Sequence, residues 1–185
     1  MSIVILYHSG FGHTKVVAEY IREGAAKVVG DVKMITTDEA IKDFEPLHNA
    51  STIIFGTPTY MGTISAEFKK FMEASGKFWY SQPWKNKFAA GFTNSSTMNG
   101  DKLNTLQQLS IFAAQHSMLW ISTGVLPKFE NDQQLEEPNG AGSYLGLMTI
   151  SNNSLNKILP PKGLETALLF GERIGNITKL LNNIS

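Results

Sequence analysis

Two kinds of apolar pattern alternate along the chain. Short runs that are apolar at nearly every position occur at residues 2–8 ("SIVILYH"), 51–57 ("STIIFGT"), 87–93 ("KFAAGFT") and 118–123 ("MLWIST"). Runs of this kind suit strands that are covered on both faces. "DVKMIT" at residues 31–36 adds a strand with Val32, Met34 and Thr36 on one face. Between the strands the spacing turns helical. Val16, Val17, Tyr20, Ile21 and Gly24 mark one helix, and residues 38–50 a short one. "SAEFKKFMEASG" reads as a third helix, with Ser65 as cap, Glu67 in the positive first turn and Gly76 at the end. Leu103, Leu106, Leu109 and Ala113 mark the next. Residues 163–182 form the last, with Leu164, Ala167, Leu168, Gly171, Ile174, Gly175, Thr178 and Leu181 on one face. Gly171 and Gly175 are expected to let that helix lie close to the sheet.

Five strands alternating with four or five helices predict one α/β domain over residues 1–185, with a doubly wound parallel sheet and helices on both faces. Ligands of such sheets bind beyond the carboxyl ends of the strands, at the switch point. Three loops leave those ends with a marked composition, at residues 9–14, 57–63 and 93–100. Residues 124–162 break the alternation, because an ordinary connection is about 2–6 residues long. They hold Pro127, Pro138, Asn139, Gly140, Gly142, Pro160 and Pro161, which suit a surface loop. They also hold the apolar "SYLGLMTI", which favours a packed role as a lid or a contact between subunits.

Composition narrows the function. Lys plus Arg and Asp plus Glu both number 16, and there is no cysteine. A neutral chain lacks the basic surface of a nucleic-acid binder and the acidic surface of a small shuttle that docks by charge. Without cysteine it has no disulfide framework, thiolate nucleophile or cysteinyl flavin link. Met1 runs straight into "SIVIL" with no basic stretch before it, so no signal peptide is expected. No apolar stretch reaches the ~18 residues of a membrane helix, and a cytoplasmic protein is expected. The four histidines are scattered with no carboxylate at ligand spacing, so no metal site is expected. His13 reads as a polar loop residue, His8 and His48 as structural, and Asp101 and Glu67 as helix-cap charges.

The first loop, "SGFGHT", is neither a Walker A motif nor a dinucleotide fingerprint, since Lys15 stands where the third glycine belongs. What remains is a ring of backbone amides at a helix start with the hydroxyls of Ser9 and Thr14. It serves either as a capped tight turn or as a cradle for one compact phosphate. The second loop, "GTPTYMGTIS", carries Pro58, two glycines, Tyr60 and Met61. It is a surface turn or the cover of a flat heterocycle. The third, "TNSSTMNGD", is a solvated turn or a polar wall. A mononucleotide with a flat ring suits all three together.

"SGFGHT", "FGTPTYMGTISAEFKKFMEASGKFW" and "KNKFAAGFTNSSTMNGDK" resemble, in order and over most of the chain, the WrbA-type flavodoxin-fold NAD(P)H:quinone oxidoreductases. The resemblance implies a flavodoxin-like fold, non-covalent FMN, a homo-oligomer (a tetramer in the family) and two-electron reduction of quinones by NADH or NADPH. It implies that Ser9, Gly10, Phe11, Gly12, His13 and Thr14 hold the FMN phosphate. Pro58, Thr59, Tyr60, Met61 and Gly62 then lie beside the ring, and Asn94, Ser95, Ser96, Thr97, Met98 and Asn99 beside the pyrimidine and ribityl groups. By the same resemblance Trp79 flanks the substrate from another subunit, Phe11 matches an aromatic position associated with the nicotinamide cofactor, and Gln115 and His116 fall on a catalytic pair. The chain departs from the family at several points. Gln115 replaces the first histidine of that pair, Tyr60 stands where arginine is common, and Met98 and Asn99 replace a glycine-rich end. The segment between the second and third strands is also short. An FMN-binding electron carrier without its own NAD(P)H turnover is the alternative function.

Overall fold

The computed structural model describes residues 1–152 and 159–181. Residues 153–158 of the expected insertion and residue 182 of the expected last helix lie outside the described residues. A central parallel sheet is formed by β1 (Ile3–Tyr7), β2 (Val32–Thr36), β3 (Thr52–Tyr60), β5 (Phe88–Ser95) and β9 (Leu147–Asn152). With an edge strand β10 (Leu159–Lys162) its order is β10-β9-β5-β3-β1-β2, so the winding reverses between β1 and β3. The strands are held in register by pairs such as Ile5↔Ile54 and Ile54↔Ala90.

Alternate residues of each strand face opposite layers, as the period-two geometry of a strand requires. Ile3, Ile5, Ile54, Ala90 and Phe92 pack under α1 (His13–Ala26) and α6 (Leu164–Leu181). Val4, Leu6, Ile53, Phe55 and Ala89 pack under α2 (Thr37–Lys42), α3 (Glu45–Asn49), α4 (Ala66–Ala74) and α5 (Lys102–Gln115). Phe68, Phe71, Trp84 and Phe112 fill that second layer. The one short helix expected over residues 38–50 is two, because Pro46 lies in the first turn of α3 and cannot continue a helix begun upstream.

The fifth strand differs from expectation. "MLWIST" supplies only β6 (Leu119–Trp120), paired with Phe88 and Ala89 at the start of β5. The end of β5 pairs instead with β9, from Phe92↔Leu147 to Ser95↔Ile150. The insertion therefore opens in the middle of the strand, and the apolar "SYLGLMTI" runs into its second half. Inside the insertion, β7 (Phe129–Glu130) and β8 (Gln133–Gln134) form a small hairpin. β10 (Leu159–Lys162) then adds an antiparallel edge strand.

Gly171 also has a different role from the expected one. A Cβ there would lie 2.1 Å from the Ile21 carbonyl oxygen, and one on Gly24 would lie 2.0 Å from that of Leu168. The two glycines bring α6 against α1, backbone to backbone, and not against the sheet.

Candidate functional site

The loops after β1, β3 and β5 meet at the carboxyl edge, around the β1–β3 reversal. The first starts α1 with Gly12 at a φ of 89°, a left-handed conformation that a Cβ disfavours. Gly12 contributes no side-chain cap, and the first turn of α1 holds no acidic residue. Ser9 Oγ accepts from the Lys15 amide at 3.2 Å. Among the described residues the amides of Gly12, His13 and Thr14 have no acceptor. Thr14 is buried, and His13 Nε2 is buried without a partner. By contrast α2 is closed by the Thr36–Glu39 capping box and α4 by Ser65, whose Oγ accepts from the Phe68 amide.

The second loop is a hairpin. β3 runs on to Tyr60, turns through Met61 (φ 49°) and Gly62 (φ 79°), and returns as β4 (Thr63–Ile64). Two consecutive left-handed residues match the twist of a two-residue hairpin. Met61 is fully exposed at its tip, and Pro58 is buried. The Tyr60 hydroxyl reaches back to Gly10, where a Cβ would lie 2.5 Å from it. Burial raises the Tyr60 phenol above its ordinary pKa, and the Gly10 amide opposes that. Phe11 meets Tyr60 edge-on at 6.1 Å. Thr59 turns its hydroxyl inward, to Thr93 Oγ1 and Thr105 Oγ1, both at 2.8 Å. The Thr59 side chain therefore ties the hairpin to β5 and α5, and its backbone alone borders the site.

His8 Nδ1 lies 2.8 Å from Ser65 Oγ, which is also bonded to Thr57 Oγ1 at 3.0 Å. These bonds join the ends of β1 and β3 to the start of α4. Burial lowers the His8 pKa against the opposing fields of Glu67 and Asp38.

In the third loop Asn94 is buried. It donates to Ser151 Oγ and accepts from Thr149 Oγ1 at 2.9 Å, so it ties β5 to β9. Ser96, Thr97, Met98 and Asn99 are exposed. Asp101 is the N-cap of α5 but makes no side-chain cap, and Asn104 donates instead to the Gly62 carbonyl at 2.8 Å. Two helices thus begin at this edge without a side-chain cap, beside an aromatic hairpin. Open amides at a helix start suit a compact dianion without an arginine, and the exposed Phe11 and Met61 with the half-buried Tyr60 suit a flat ring. These residues fit the phosphate and ring of FMN.

Trp79, Gln115 and His116 are brought together elsewhere. They sit past the far ends of α4 and α5, and the 14 residues of α5 separate Gln115 from the third loop by about 20 Å. Trp79 is 47% exposed, and its Nε1 donates to Gln115 Oε1 at 3.2 Å. Its ring meets Tyr80 edge-on at 4.9 Å. With Met72, Ile111 and Phe112 it lines a groove of about 550 Å³ between α4 and α5.

His116 also lines that groove, with very little of its surface exposed. It is 2% exposed, at 4.3 Å from the Trp84 ring and 5.0 Å from that of Phe112. Ser75 Oγ spends its hydrogen on the Met72 carbonyl at 2.7 Å, so His116 Nε2 must donate to it at 3.1 Å. Nδ1 is then a bare, buried lone pair without a partner. Burial lowers the His116 pKa to about 4.

Sequence reasoning missed Lys102. It is completely buried, and its ammonium is held by the third loop from within. It follows Asp101 at a helix start, and no local pattern announces the burial. The hairpin was signalled by "YMGT", in which a glycine-containing pair separates two β-favouring residues.

The sheet order and the three-loop edge define a flavodoxin-like α/β protein with a mononucleotide site. A solved WrbA-like flavodoxin from Agrobacterium tumefaciens superposes with a TM-score of 0.74 and 39% identity, covering 97% of this chain and 98% of its own. A model of the NADPH-dependent FMN reductase family matches residues 37–130, and the chain belongs to that family. It is 36% identical to flavodoxin FldP of Pseudomonas aeruginosa over 97% of both chains. It is 27% identical to an NAD(P)H dehydrogenase (quinone) of Geobacter sulfurreducens, over 98% of this chain and all of that one. No described helix is long and apolar enough to cross a membrane. Among the described residues no group of His, Cys, Asp and Glu is placed to hold a metal ion.

Proposed function

We propose that the protein binds FMN at the carboxyl edge of its sheet and passes two electrons from NADH or NADPH to a quinone. The observation that carries this reading is the convergence of two uncapped helix starts and an aromatic hairpin on the β1–β3 reversal. Family membership supports it. The amides of Gly12, His13 and Thr14 and the hydroxyls of Ser9 and Thr14 take the phosphate. The hairpin over residues 58–62 covers the ring, and the third loop, anchored at Asn94 by its bonds to β9, lines the polar edge with residues 95–99. Bound FMN supplies the hydride chemistry, and the chain supplies position and electrostatics.

Trp79 and Gln115 lie too far from these loops to touch a flavin held by the same chain. In this reading they reach the flavin of a neighbouring subunit in a homodimer or homotetramer. Gln115 Oε1 is occupied by Trp79, which leaves its amide N–H groups free to donate to a quinone oxygen. The ring of Trp79 walls the space in which nicotinamide and quinone bind in turn. His116, neutral and enclosed, positions the end of α5 and does not exchange protons. The neutral net charge suits a small quinone in the cytoplasm and disfavours charge-steered docking to a protein acceptor.

The test is anaerobic. FMN-loaded protein is mixed with NADPH, and then with benzoquinone, while the visible spectrum is followed. Bleaching by the first and recovery with the second are expected. If FMN binds and its spectrum does not change with NADH or NADPH, the enzyme reading fails. The protein is then an electron carrier, a reading favoured by its relatives named flavodoxin.

A further inference from the structure

Lys102, the first residue of α5, is 0% exposed, and no carboxylate answers its charge among the described residues. Its Nζ donates to Ser95 Oγ at 3.0 Å, the Thr97 carbonyl at 2.6 Å and the Met98 carbonyl at 2.8 Å. Burying an ammonium without a counter-charge is costly, and a methionine of similar length would fill the same space without that cost. The cation therefore has a role that packing does not explain.

The peptide plane supplies it. In a trans peptide the C=O and N–H point to opposite sides. With the Thr97 and Met98 carbonyls drawn in to the ammonium, the amides of Met98 and Asn99 are turned outward. Among the described residues neither amide has an acceptor. The loop is closed by consecutive left-handed residues, Gly100 (φ 55°) and Asp101 (φ 54°), and by the Lys102 amide donating to the Asn99 carbonyl at 3.1 Å. Asn104 ties the same helical turn to the Gly62 carbonyl of the hairpin, so the outward amides and the ring cover border one edge.

We infer that Lys102 is a positioning residue that makes the third loop a donor wall and tilts the site toward the reduced form of its ligand. This rests on the FMN reading above. Reduction places negative charge on the polar edge of a flavin ring. A wall of outward amides backed by a buried cation stabilises that charge more than it stabilises the neutral ring. The ammonium touches only protein oxygens and acts through the loop. Burial lowers its pKa to about 8, so it is charged at neutral pH.

The test compares wild type, Lys102→Met and Lys102→Gln. The first removes the donors and the charge, and the second keeps a short donor for the loop carbonyls without the charge. Circular dichroism reports folding, fluorescence titration reports oxidised FMN affinity, and anaerobic spectroelectrochemistry reports the midpoint potential. A wild type that binds no FMN sinks the FMN reading before any variant is made. Given binding, both variants should take oxidised FMN within about threefold of wild type. They should lose about tenfold of the preference for reduced FMN, which is about 30 mV downward for a two-electron couple. An unchanged potential in a folded, FMN-binding variant overturns the inference. If neither variant folds, Lys102 is a structural residue and the inference fails as well.

Discussion

Acidification should destabilise this protein through His116, and the size of the effect follows from its surroundings. Nε2 donates to Ser75, Nδ1 faces no acceptor, and Trp84 and Phe112 exclude water. Protonating Nδ1 puts an N–H and a charge where nothing can receive them, so the folded pKa falls from 6.5 to about 4. A histidine with a depressed folded pKa gives its full stability above about pH 6.5. It loses that stability as pH falls towards the folded value, because the unfolded chain takes up the proton first. Between pH 7.5 and pH 4.5 the loss from this one group is roughly 2.5 kcal/mol. Other groups titrate in the same window, so the measurement is a difference. Wild type and His116→Phe are unfolded in urea at both pH values. Phenylalanine keeps the aromatic contacts and frees Ser75 of a bond that its hydroxyl can forgo. The variant should lose about 2.5 kcal/mol less than wild type on acidification. Equal losses in the two proteins would show that His116 does not carry a depressed pKa, and the tautomer assignment would fall with it.

Three further outcomes are expected. Combining Ser9→Ala with Thr14→Ala should weaken FMN far more than riboflavin in a fluorescence titration, since only FMN carries the phosphate; equal weakening would remove the first loop from the phosphate site. Gly171→Ala should cost roughly 1–3 kcal/mol in urea unfolding, because its methyl meets the backbone of α1, which cannot step aside. FMN affinity should not change in that variant. Trp79→Ala should lower kcat/KM for quinones by about tenfold and leave FMN affinity unchanged, since stacked aromatic contacts add ~0.5–1.5 kcal/mol beyond burial. Loss of FMN in that variant would make Trp79 structural.

Most of the sheet was legible because strands buried on both faces announce themselves. "SIVIL" and "STIIF" divide their side chains between two helical layers, and that demands apolar residues at every position. The fifth strand was misplaced because its two halves are 26 residues apart, and "MLWIST" alone satisfied the pattern. Gly171 showed that something approaches closely. The partner, α1, is fixed only by the handedness of the crossovers and the lateral order of the helices. The three loops were readable from their composition, but the direction of each side chain was not. Thr59 and Asn94 look like ligand contacts in the sequence and spend their polar groups holding β3, β5 and β9 together. Lys102 was invisible because burial of a lysine depends on carbonyls five and four residues upstream that fold back over it.

The central claim is a phosphate cradle at the start of α1, and calorimetric titration of the flavin-free protein with FMN and with riboflavin tests it most directly. Each hydrogen bond from an amide to the charged phosphate is worth roughly 1.5–3 kcal/mol, so two of them favour FMN by about a hundredfold or more. FMN binding at least that much tighter than riboflavin, one per chain, is the expected result. Equal affinities, or binding of neither flavin, would contradict the account.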